Sequence, residues 1–249
     1  MVTRPLSVLP YRVQRPHADV RLFCLPYAGG NATLYRTWGA SLPEHIEVCP
    51  IELPGRGVRF REAPIAVLTT LVDRLSDDLA DVLDRPFALF GHSMGARIAL
   101  ELARRRPDRL VHLFASAALP PHRMTTRFAP LANAGDAELI AELRRWGNTP
   151  DEVLENEELL ELTLPILRAD IALLEGADSA LEPRVACPLT VLVGTDDRDV
   201  PAHEAREWTK YTTSPITRIR TVDSGHLFVT EPAGRQRVLD AVVEALPRF

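Results

Sequence analysis

A serine lies between two glycines where an apolar strand pattern gives way to a helical one. The strand pattern Phe-Ala-Leu-Phe leads into Gly-His-Ser-Met-Gly at residues 91–95, and a helical pattern follows. Because Gly91 and Gly95 lack a Cβ, the backbone can make a strained turn that points the hydroxyl of Ser93 outwards. The amide of Met94, at the helix N-terminus, would donate to an oxyanion. This context predicts a nucleophilic serine.

A nucleophilic serine needs a base, and the base needs a group that orients it. Two later strand patterns end in suitable loops, which are Gly-Thr-Asp-Asp-Arg-Asp at residues 194–199 and Asp-Ser-Gly-His at residues 223–226. Among the seven histidines, we predict His226 as the general base, because Gly225 is expected to let its loop turn sharply. Three aspartates of the first loop compete as the orienting acid: Asp196, Asp197 and Asp199.

The loop after the first apolar strand pattern is rich in glycine and supplies a second candidate oxyanion donor. It has the sequence Pro-Tyr-Ala-Gly-Gly-Asn-Ala at residues 26–32, and its glycines allow the backbone to approach a ligand closely. We assign the amide of Ala28 as the donor. A plain Gly-Gly loop is the alternative, but it would not explain why the glycines follow a buried strand and precede a helix.

Short β-branched and aromatic runs alternate with helical patterns, which is typical of a mostly parallel sheet with crossover helices. The predicted strands are Val20 to Leu25, Ile46 to Ile51, Phe87 to Phe90, Leu110 to Ala115, Leu189 to Val193 and Ile216 to Val222. A helix with one buried face is predicted from Ile65 to Leu83, and another from about Met94 to Arg105. With the serine turn, this order predicts an α/β-hydrolase fold, an α/β architecture with flanking helices.

The alternation stops between about residues 120 and 187, where helical patterns follow one another without strands. We predict one α/β-hydrolase domain over residues 1–249 that carries this segment as a helical insertion. The insertion would be either a lid over the active site or a small separate bundle. Its many leucines favour packing over an apolar pocket.

Composition excludes several classes of function. A formal net charge of −5 over 249 residues argues against nucleic-acid binding, which normally needs a concentrated basic face. There is no run of 18 apolar residues and no signal peptide, so we expect a cytoplasmic protein that binds no membrane. The three cysteines, Cys24, Cys49 and Cys187, lie in apolar runs and are interpreted as core thiols, and no metal site is predicted.

Several separate segments resemble the type II thioesterases that accompany polyketide and nonribosomal peptide assembly lines. They are PYAGGNATLYRTW, ELPGRGVRFRE, GHSMGA, SAALPP, LPILRAD, GTDD and SGHLF, and in this order they span almost the whole chain. The resemblance implies hydrolysis of acyl thioesters on the phosphopantetheine arm of acyl or peptidyl carrier proteins, which clears misprimed groups. It implies Ser93, Asp197 and His226 as the triad, and Ala28 and Met94 as oxyanion donors. No cofactor is expected, since the substrate carries the phosphopantetheine.

Two departures from the family pattern concern the shape of the site. Arg198 stands where a proline is expected after the acid, and the segment IALLEGAD after LPILRAD lacks an aromatic residue often found there. We nevertheless expect Leu164 and Leu167 of the insertion to influence which acyl lengths are accepted.

Other functions remain open at this level. A chain-releasing thioesterase would use a nucleophile of the acyl chain instead of water, a carboxylesterase would share the fold, and a catalytically dead hydrolase would be a binding module. The chain begins with methionine and shows no linker or carrier domain before the fold, which favours the editing type. The ordered Ser93, aspartate and His226 argue against the binding module.

Because carrier proteins are usually acidic, an acidic enzyme needs a local basic patch to meet one. Arg56, Arg59 and Arg61 follow a strand that ends at the predicted active edge, and we predict that at least one of them contacts the carrier. A solvated surface is the alternative. The arginines at 104–106 end the serine helix at the opposite edge, where the helix dipole gives them a structural role.

Overall fold

The central element of the fold is a six-stranded parallel sheet in the order β2-β1-β3-β4-β5-β6. The structure, a computed structural model, describes residues 7–128, 131, 134–146, 151–175 and 180–248. The strands are β1 Val20–Leu25, β2 Ile46–Pro50, β3 Phe87–His92, β4 Leu110–Ser116, β5 Leu189–Gly194 and β6 Thr217–Val222. Each predicted strand is found within two residues of its predicted ends, and the parallel sheet is confirmed.

Helices cover both faces of this sheet. Outside the segment between β4 and β5, they are α1 Trp38–Ser41, α2 Leu68–Asp78, α3 Met94–Arg105, α8 Ala202–Ala205 and α9 Pro232–Ala245. The helix that follows the serine turn has its predicted bounds. The helix predicted over residues 65–83 is shorter, because the chain tightens into a 3₁₀ turn at Ala80–Val82.

The sheet separates two apolar layers, and the strand alternation assigns side chains to them. In β1, Phe23 and Leu25 pack on the layer that contains α2 and α3. Leu22 and Cys24 point the opposite way, into the layer that contains α9. Both faces of the central strands are therefore buried, which explains their continuous apolar runs.

The described part of the segment between β4 and β5 is mainly helical, as the sequence predicts. Its helices are α4 Pro121–Phe128, α5 Asp136–Trp146, α6 Asp151–Leu154 and α7 Glu157–Glu175. Asn156 separates the last two, since its side chain accepts a hydrogen bond from the amide of Leu159 at 3.2 Å and so caps α7. Residues 129–130, 132–133, 147–150 and 176–179 of the predicted insertion lie outside the described residues.

A separate apolar cluster holds these helices together. It is built from Leu139, Leu143, Leu154, Leu164, Leu167 and Ile171, and Ala28 of the β1 loop packs against it. Among the described residues, no helix has the length and hydropathy needed to cross a membrane.

Candidate active site

The turn after β3 places a strained serine at the carboxyl edge of the sheet. Ser93 has φ 53° and ψ −117°, in a region that non-glycine residues rarely occupy. A Cβ on Gly91 would lie 2.1 Å from the carbonyl oxygen of Gly95, and a Cβ on Gly95 would lie 2.3 Å from that of Leu25. Both glycines are therefore needed for α3 to start this close to β3 and β1.

The side chains of three loops form a continuous hydrogen-bonded row. His226 Nε2 lies 3.0 Å from Ser93 Oγ, and His226 Nδ1 lies 2.7 Å from Asp197 Oδ2. The other oxygen of Asp197 accepts hydrogen bonds from the amides of Asp199 and Val200 at 2.9 and 3.1 Å. A carboxylate can only accept hydrogen bonds, so Nδ1 of His226 donates to Asp197. Nε2 is then free to accept a hydrogen bond from the hydroxyl of Ser93.

The geometry distinguishes the three aspartates that the sequence leaves in competition. Asp197 is buried and bonded to His226, whereas Asp196 is exposed. Asp199 lies farther along the loop, where its side chain pairs with Arg145 at 3.2 Å. Asp197 is therefore the aspartate in position to orient the histidine.

The loops that carry Asp197 and His226 are joined through their backbones. The amide of Asp196 donates to the carbonyl of Ser224 at 3.1 Å, and a Cβ on Gly194 would lie 2.5 Å from that same oxygen. The sequence argument that used Gly225 is wrong. That residue has no positive φ, and a Cβ there would meet no atom within 4 Å, so Gly194 is the glycine that the loops require.

His92 supports His226 from beneath. Its Nε2 lies 2.9 Å from the carbonyl oxygen of His226, and its Nδ1 lies 3.0 Å from the hydroxyl of Ser116. Because a carbonyl can only accept, Nε2 of His92 donates and Nδ1 accepts. Burial, with a smaller contribution from His226, holds the pKa of His92 well below its usual value. His92 is therefore a neutral hydrogen-bond donor that holds the backbone of the loop carrying His226.

The amides of Ala28 and Met94 are the candidate oxyanion donors: Ala28 lines the cavity that Ser93 also lines, and Met94 follows Ser93 in the chain. Ala28 lies in a turn closed by a hydrogen bond from Gly30 N to the carbonyl of Tyr27 at 2.9 Å, while Met94 is the first residue of α3. Within the described part of the chain, neither amide donates to a protein acceptor. Two free amides beside a nucleophile are what stabilisation of a tetrahedral intermediate requires.

A cavity of about 250 Å³ opens beside Ser93 and His226. The helices between β4 and β5 supply much of its apolar wall, through Met124, Trp146 and Leu174. The site thus combines a hydrogen-bonded nucleophile, two free amides and an apolar chamber. Such an arrangement can carry out acyl transfer through an acyl-serine.

The family follows from a comparison with known proteins. The sequence model of the family described as Thioesterase domain matches residues 20–247. The chain belongs to the thioesterase family.

Solved structures of thioesterases superpose on nearly all of the chain. RedJ, a thioesterase from the prodiginine biosynthetic pathway in Streptomyces coelicolor, is 33% identical with a TM-score of 0.85, covering 94% of this chain and 92% of RedJ. The type II thioesterase BorB from the borrelidin biosynthetic cluster is 35% identical with a TM-score of 0.82, covering 95% and 96%. The predicted α/β-hydrolase fold, the hydrolase class and the resemblance to assembly-line thioesterases are thereby confirmed.

One relative is named for a different reaction. Linear gramicidin dehydrogenase LgrE of Brevibacillus parabrevis is 37% identical over 92% of this chain and 88% of its own length. The dehydrogenase activity in that name is said of LgrE and is not transferred to this chain. In this thioesterase, the loop after β1 has the sequence Pro-Tyr-Ala-Gly-Gly-Asn, which lacks the Gly-x-Gly-x-x-Gly pattern of a dinucleotide-binding turn.

The arginines predicted to meet a carrier are mostly inside the thioesterase. Arg59 is 2% exposed, and it donates to both carboxylate oxygens of Glu62 at 2.7 Å. Arg56 is 6% exposed and is paired with Asp170. The carrier hypothesis fails for these two guanidinium groups, because each is buried and already paired with a carboxylate, and it is retained for the exposed Arg61 alone.

Arg104, one of the arginines at the end of α3, makes structural contacts outside its own helix. Arg104 donates to the backbone carbonyls of Ala180, Leu181 and Pro183 at 2.8–3.0 Å. It thereby fastens the end of α3 to the chain that leads into β5.

Of two other predictions about the interior of the thioesterase, one agrees with the structure and one does not. The three cysteines are buried free thiols, as predicted, and burial raises the pKa of Cys49 and of Cys187 to about 12.

The expectation that Leu164 and Leu167 shape the acyl pocket is wrong. They pack in the cluster among the helices, and the lining residue from α7 is Leu174. Helical periodicity places all three on an apolar stripe, but it does not reveal which end of the stripe faces the cavity.

Proposed function

We propose that this protein is an editing thioesterase of a polyketide or nonribosomal peptide assembly line. It hydrolyses acyl groups from the phosphopantetheine arm of an acyl or peptidyl carrier protein. The observation that carries the proposal is the row Asp197, His226 and Ser93 at the mouth of an apolar cavity. It occurs in a chain that aligns along its length with a type II thioesterase. No cofactor is assigned, because the arm belongs to the substrate.

The first half of the reaction transfers the acyl group to Ser93. As Oγ attacks the thioester carbonyl carbon, Nε2 of His226 takes the hydroxyl proton, and Asp197 stabilises the imidazolium that forms. The amides of Ala28 and Met94 donate to the tetrahedral oxyanion. When the intermediate collapses, the C–S bond breaks, and the departing thiolate of the arm receives the proton from His226.

The second half releases the acid. His226, neutral again, takes a proton from a water molecule while the water oxygen attacks the carbonyl carbon of the acyl-serine. The same two amides hold the second oxyanion. Its collapse breaks the ester bond and returns the proton to Ser93, so that a carboxylic acid leaves.

The size of the cavity supports small acyl groups as substrates. Drug-sized ligands usually occupy pockets of about 300–1,000 Å³, and this cavity measures about 250 Å³. We propose that the segment at about residues 120–187 acts as the lid of a single domain over residues 1–249, with α4, α5 and α7 closing over the acyl group.

Carrier docking and location complete the proposal. Arg61 is exposed, and its guanidinium lies 5.5 Å from the ring centre of Phe60, which is also exposed. These side chains lie in the loop that follows β2, where they offer a positive charge and an apolar ring to an acidic carrier. We also propose a cytoplasmic location, because three buried free thiols are typical of reducing compartments.

The test compares substrates that share an acyl group and differ in its carrier. Matched panels of acyl-carrier proteins, acyl-coenzyme A esters and p-nitrophenyl esters are offered to the wild-type protein, with Ser93→Ala as the background control. We expect kcat/KM to be highest for the carriers and the product to be the free acid by mass spectrometry. Equal turnover of carrier and coenzyme A thioesters would contradict carrier editing. Faster hydrolysis of the oxygen esters would support a carboxylesterase, and a cyclised product would support chain release.

A further inference from the structure

A buried ion pair joins α7 to the turn that carries Ala28. Asp170 of α7 is 0% exposed and Arg56 is 6% exposed. Arg56 donates to both carboxylate oxygens, with Nη2 2.7 Å from Oδ1 and Nη1 2.8 Å from Oδ2. Two charges buried from water at this depth need hydrogen-bond partners beyond each other. Each member of this pair has one such partner in the turn, whereas Nε of Arg56 has none among the described residues.

Each glycine of the turn contributes one backbone group that binds the ion pair. The amide of Gly29 donates to Oδ2 of Asp170 at 2.8 Å, and the carbonyl of Gly30 accepts from Nη1 of Arg56 at 3.2 Å. Gly29 has φ +76°, as expected at the third position of a type II turn. Because the two contacts hold the amide of one glycine and the carbonyl of the next, the turn cannot rotate without breaking a charged hydrogen bond.

The clamped turn also packs against the helices. Ala28 contacts the apolar cluster that includes Leu167 and Ile171, which lie three residues before and one residue after Asp170 on α7. The position of the Ala28 amide is therefore fixed by α7 and the loop after β2, in addition to β1.

We propose that Asp170 and Arg56 are positioning residues of the oxyanion hole. They hold the Tyr27 to Gly30 turn so that the Ala28 amide meets the developing oxyanion, although neither touches the substrate. This inference rests on the proposed role of Ala28 as a donor. It predicts that breaking the clamp reduces stabilisation of the tetrahedral intermediate more than binding of the substrate, because a preorganised donor acts on charge that develops only in the transition state.

The chain offers a matched control in the same loop. Arg59 is as buried as Arg56 and is also bidentate to a carboxylate, but its partners are Glu62, Asp78 and the carbonyl of Glu52, and it does not contact the turn. Arg56→Lys and Arg59→Lys therefore impose the same substitution on two buried, carboxylate-paired arginines, of which only Arg56 contacts the turn. The carboxylates that face Arg59 are more exposed than Asp170.

The experiment measures kcat and KM of the full chain on a short acyl-N-acetylcysteamine thioester. It also measures affinity for a trifluoromethyl ketone, which forms a tetrahedral adduct with Ser93, and for an unreactive thioether analogue. For Arg56→Lys we expect kcat and ketone affinity to fall together by about tenfold to hundredfold. KM and thioether affinity should change by less than about threefold, as should every value for Arg59→Lys.

Equal losses in the two arginine variants at matched thermal stability would overturn the proposal. So would equal losses of ketone and thioether affinity in Arg56→Lys. If Arg56→Lys fails to fold, Asp170→Asn, which preserves the side-chain shape, gives the same comparison. The substrate contains no carrier, so a failure of carrier editing leaves this test intact. If the wild type is inactive on thioesters, the rate at which a fluorophosphonate labels Ser93 replaces kcat.

Discussion

The carboxyl edge of the sheet and the helices between β4 and β5 contribute to one cavity in different ways. At the sheet edge, Ser93, Asp197 and His226 come from three short loops whose backbones bond to each other and to neighbouring strands. The helices contribute apolar side chains such as Leu174 and Met124, which are held by packing. The chemistry therefore depends on fixed backbone geometry, whereas the shape of the chamber depends on side-chain volume.

The difference predicts how each region responds to substitution. A change at the sheet edge should affect all substrates alike, since it alters the reacting groups. A change in the wall should discriminate among substrates. Asp170 is the exception, because it lies on a wall helix but bonds to the loop of the sheet edge.

The largest effect is expected at the nucleophile. Ser93→Ala should lower kcat by about 10⁴- to 10⁶-fold for every acyl length, while thermal unfolding stays near that of the wild type, because alanine fits the turn without new contacts. Steady-state kinetics measure the loss of kcat, intact-mass analysis after fluorophosphonate treatment checks that labelling is lost, and a thermal melt checks the fold. Turnover within tenfold of the wild type would remove Ser93 from the mechanism.

Two aspartates in one loop make the next comparison. Asp197→Asn should lower kcat by about 10³- to 10⁴-fold, because an amide that donates to Nδ1 leaves the wrong nitrogen of His226 protonated. Asp199→Asn weakens the partly exposed pair with Arg145 on α5 and should change kcat by less than about threefold. Both variants are assayed on one short thioester. The reverse order would show that the acid is Asp199.

The carboxyl edge of the sheet and the helices between β4 and β5 also differ in how much of each could be predicted from the sequence. Strand ends and the elbow follow from local rules, since continuous apolar runs form buried strands and Gly91 and Gly95 permit one tight turn. Choosing Asp197 needed the family resemblance, because spacing alone left three aspartates equivalent. The role given to Gly225 was wrong, since the close approach between the two loops occurs at Gly194.

The helices were predicted from periodicity, but the neighbours of each helix face were not. Periodicity identifies an apolar stripe on α7 without stating that Leu167 faces other helices and Leu174 faces the cavity. Burial of Arg56 was missed for a related reason. An arginine in a loop is usually solvated, and its partner Asp170 lies 114 positions away in the sequence. The signal available in the sequence was Asp170, an acidic residue within a largely apolar helical segment.

The wall is tested by two leucines of one helix. Leu174→Phe should lower the ratio of kcat/KM for long over short acyl thioesters by about tenfold, because added volume enters the chamber. Leu167→Phe adds the same volume to a 0% exposed site in the cluster among the helices. It should cost about 1–3 kcal/mol of stability and leave the ratio unchanged. A uniform loss across acyl lengths in Leu174→Phe would mean that α7 positions the catalytic groups and does not select the acyl group.

The smallest effect is expected on the outer surface, where neither backbone geometry nor packed volume is involved. Arg61→Glu should lower kcat/KM for an acyl-carrier protein by about twofold to tenfold, because charge complementarity mainly affects encounter, and the loss should shrink as salt is raised. A short acyl-N-acetylcysteamine thioester should be unaffected. Arg105→Glu is the control at the end of α3 on the opposite edge of the sheet, where Arg105 is about half exposed and pairs with the exposed Asp73 at 2.5 Å. It should slow neither substrate. An equal, salt-independent loss on both substrates in Arg61→Glu would show that this loop supports the site structurally. A larger carrier-specific loss in Arg105→Glu would move the docking surface to the far edge, and the carrier's arm would then have to reach around the sheet to Ser93.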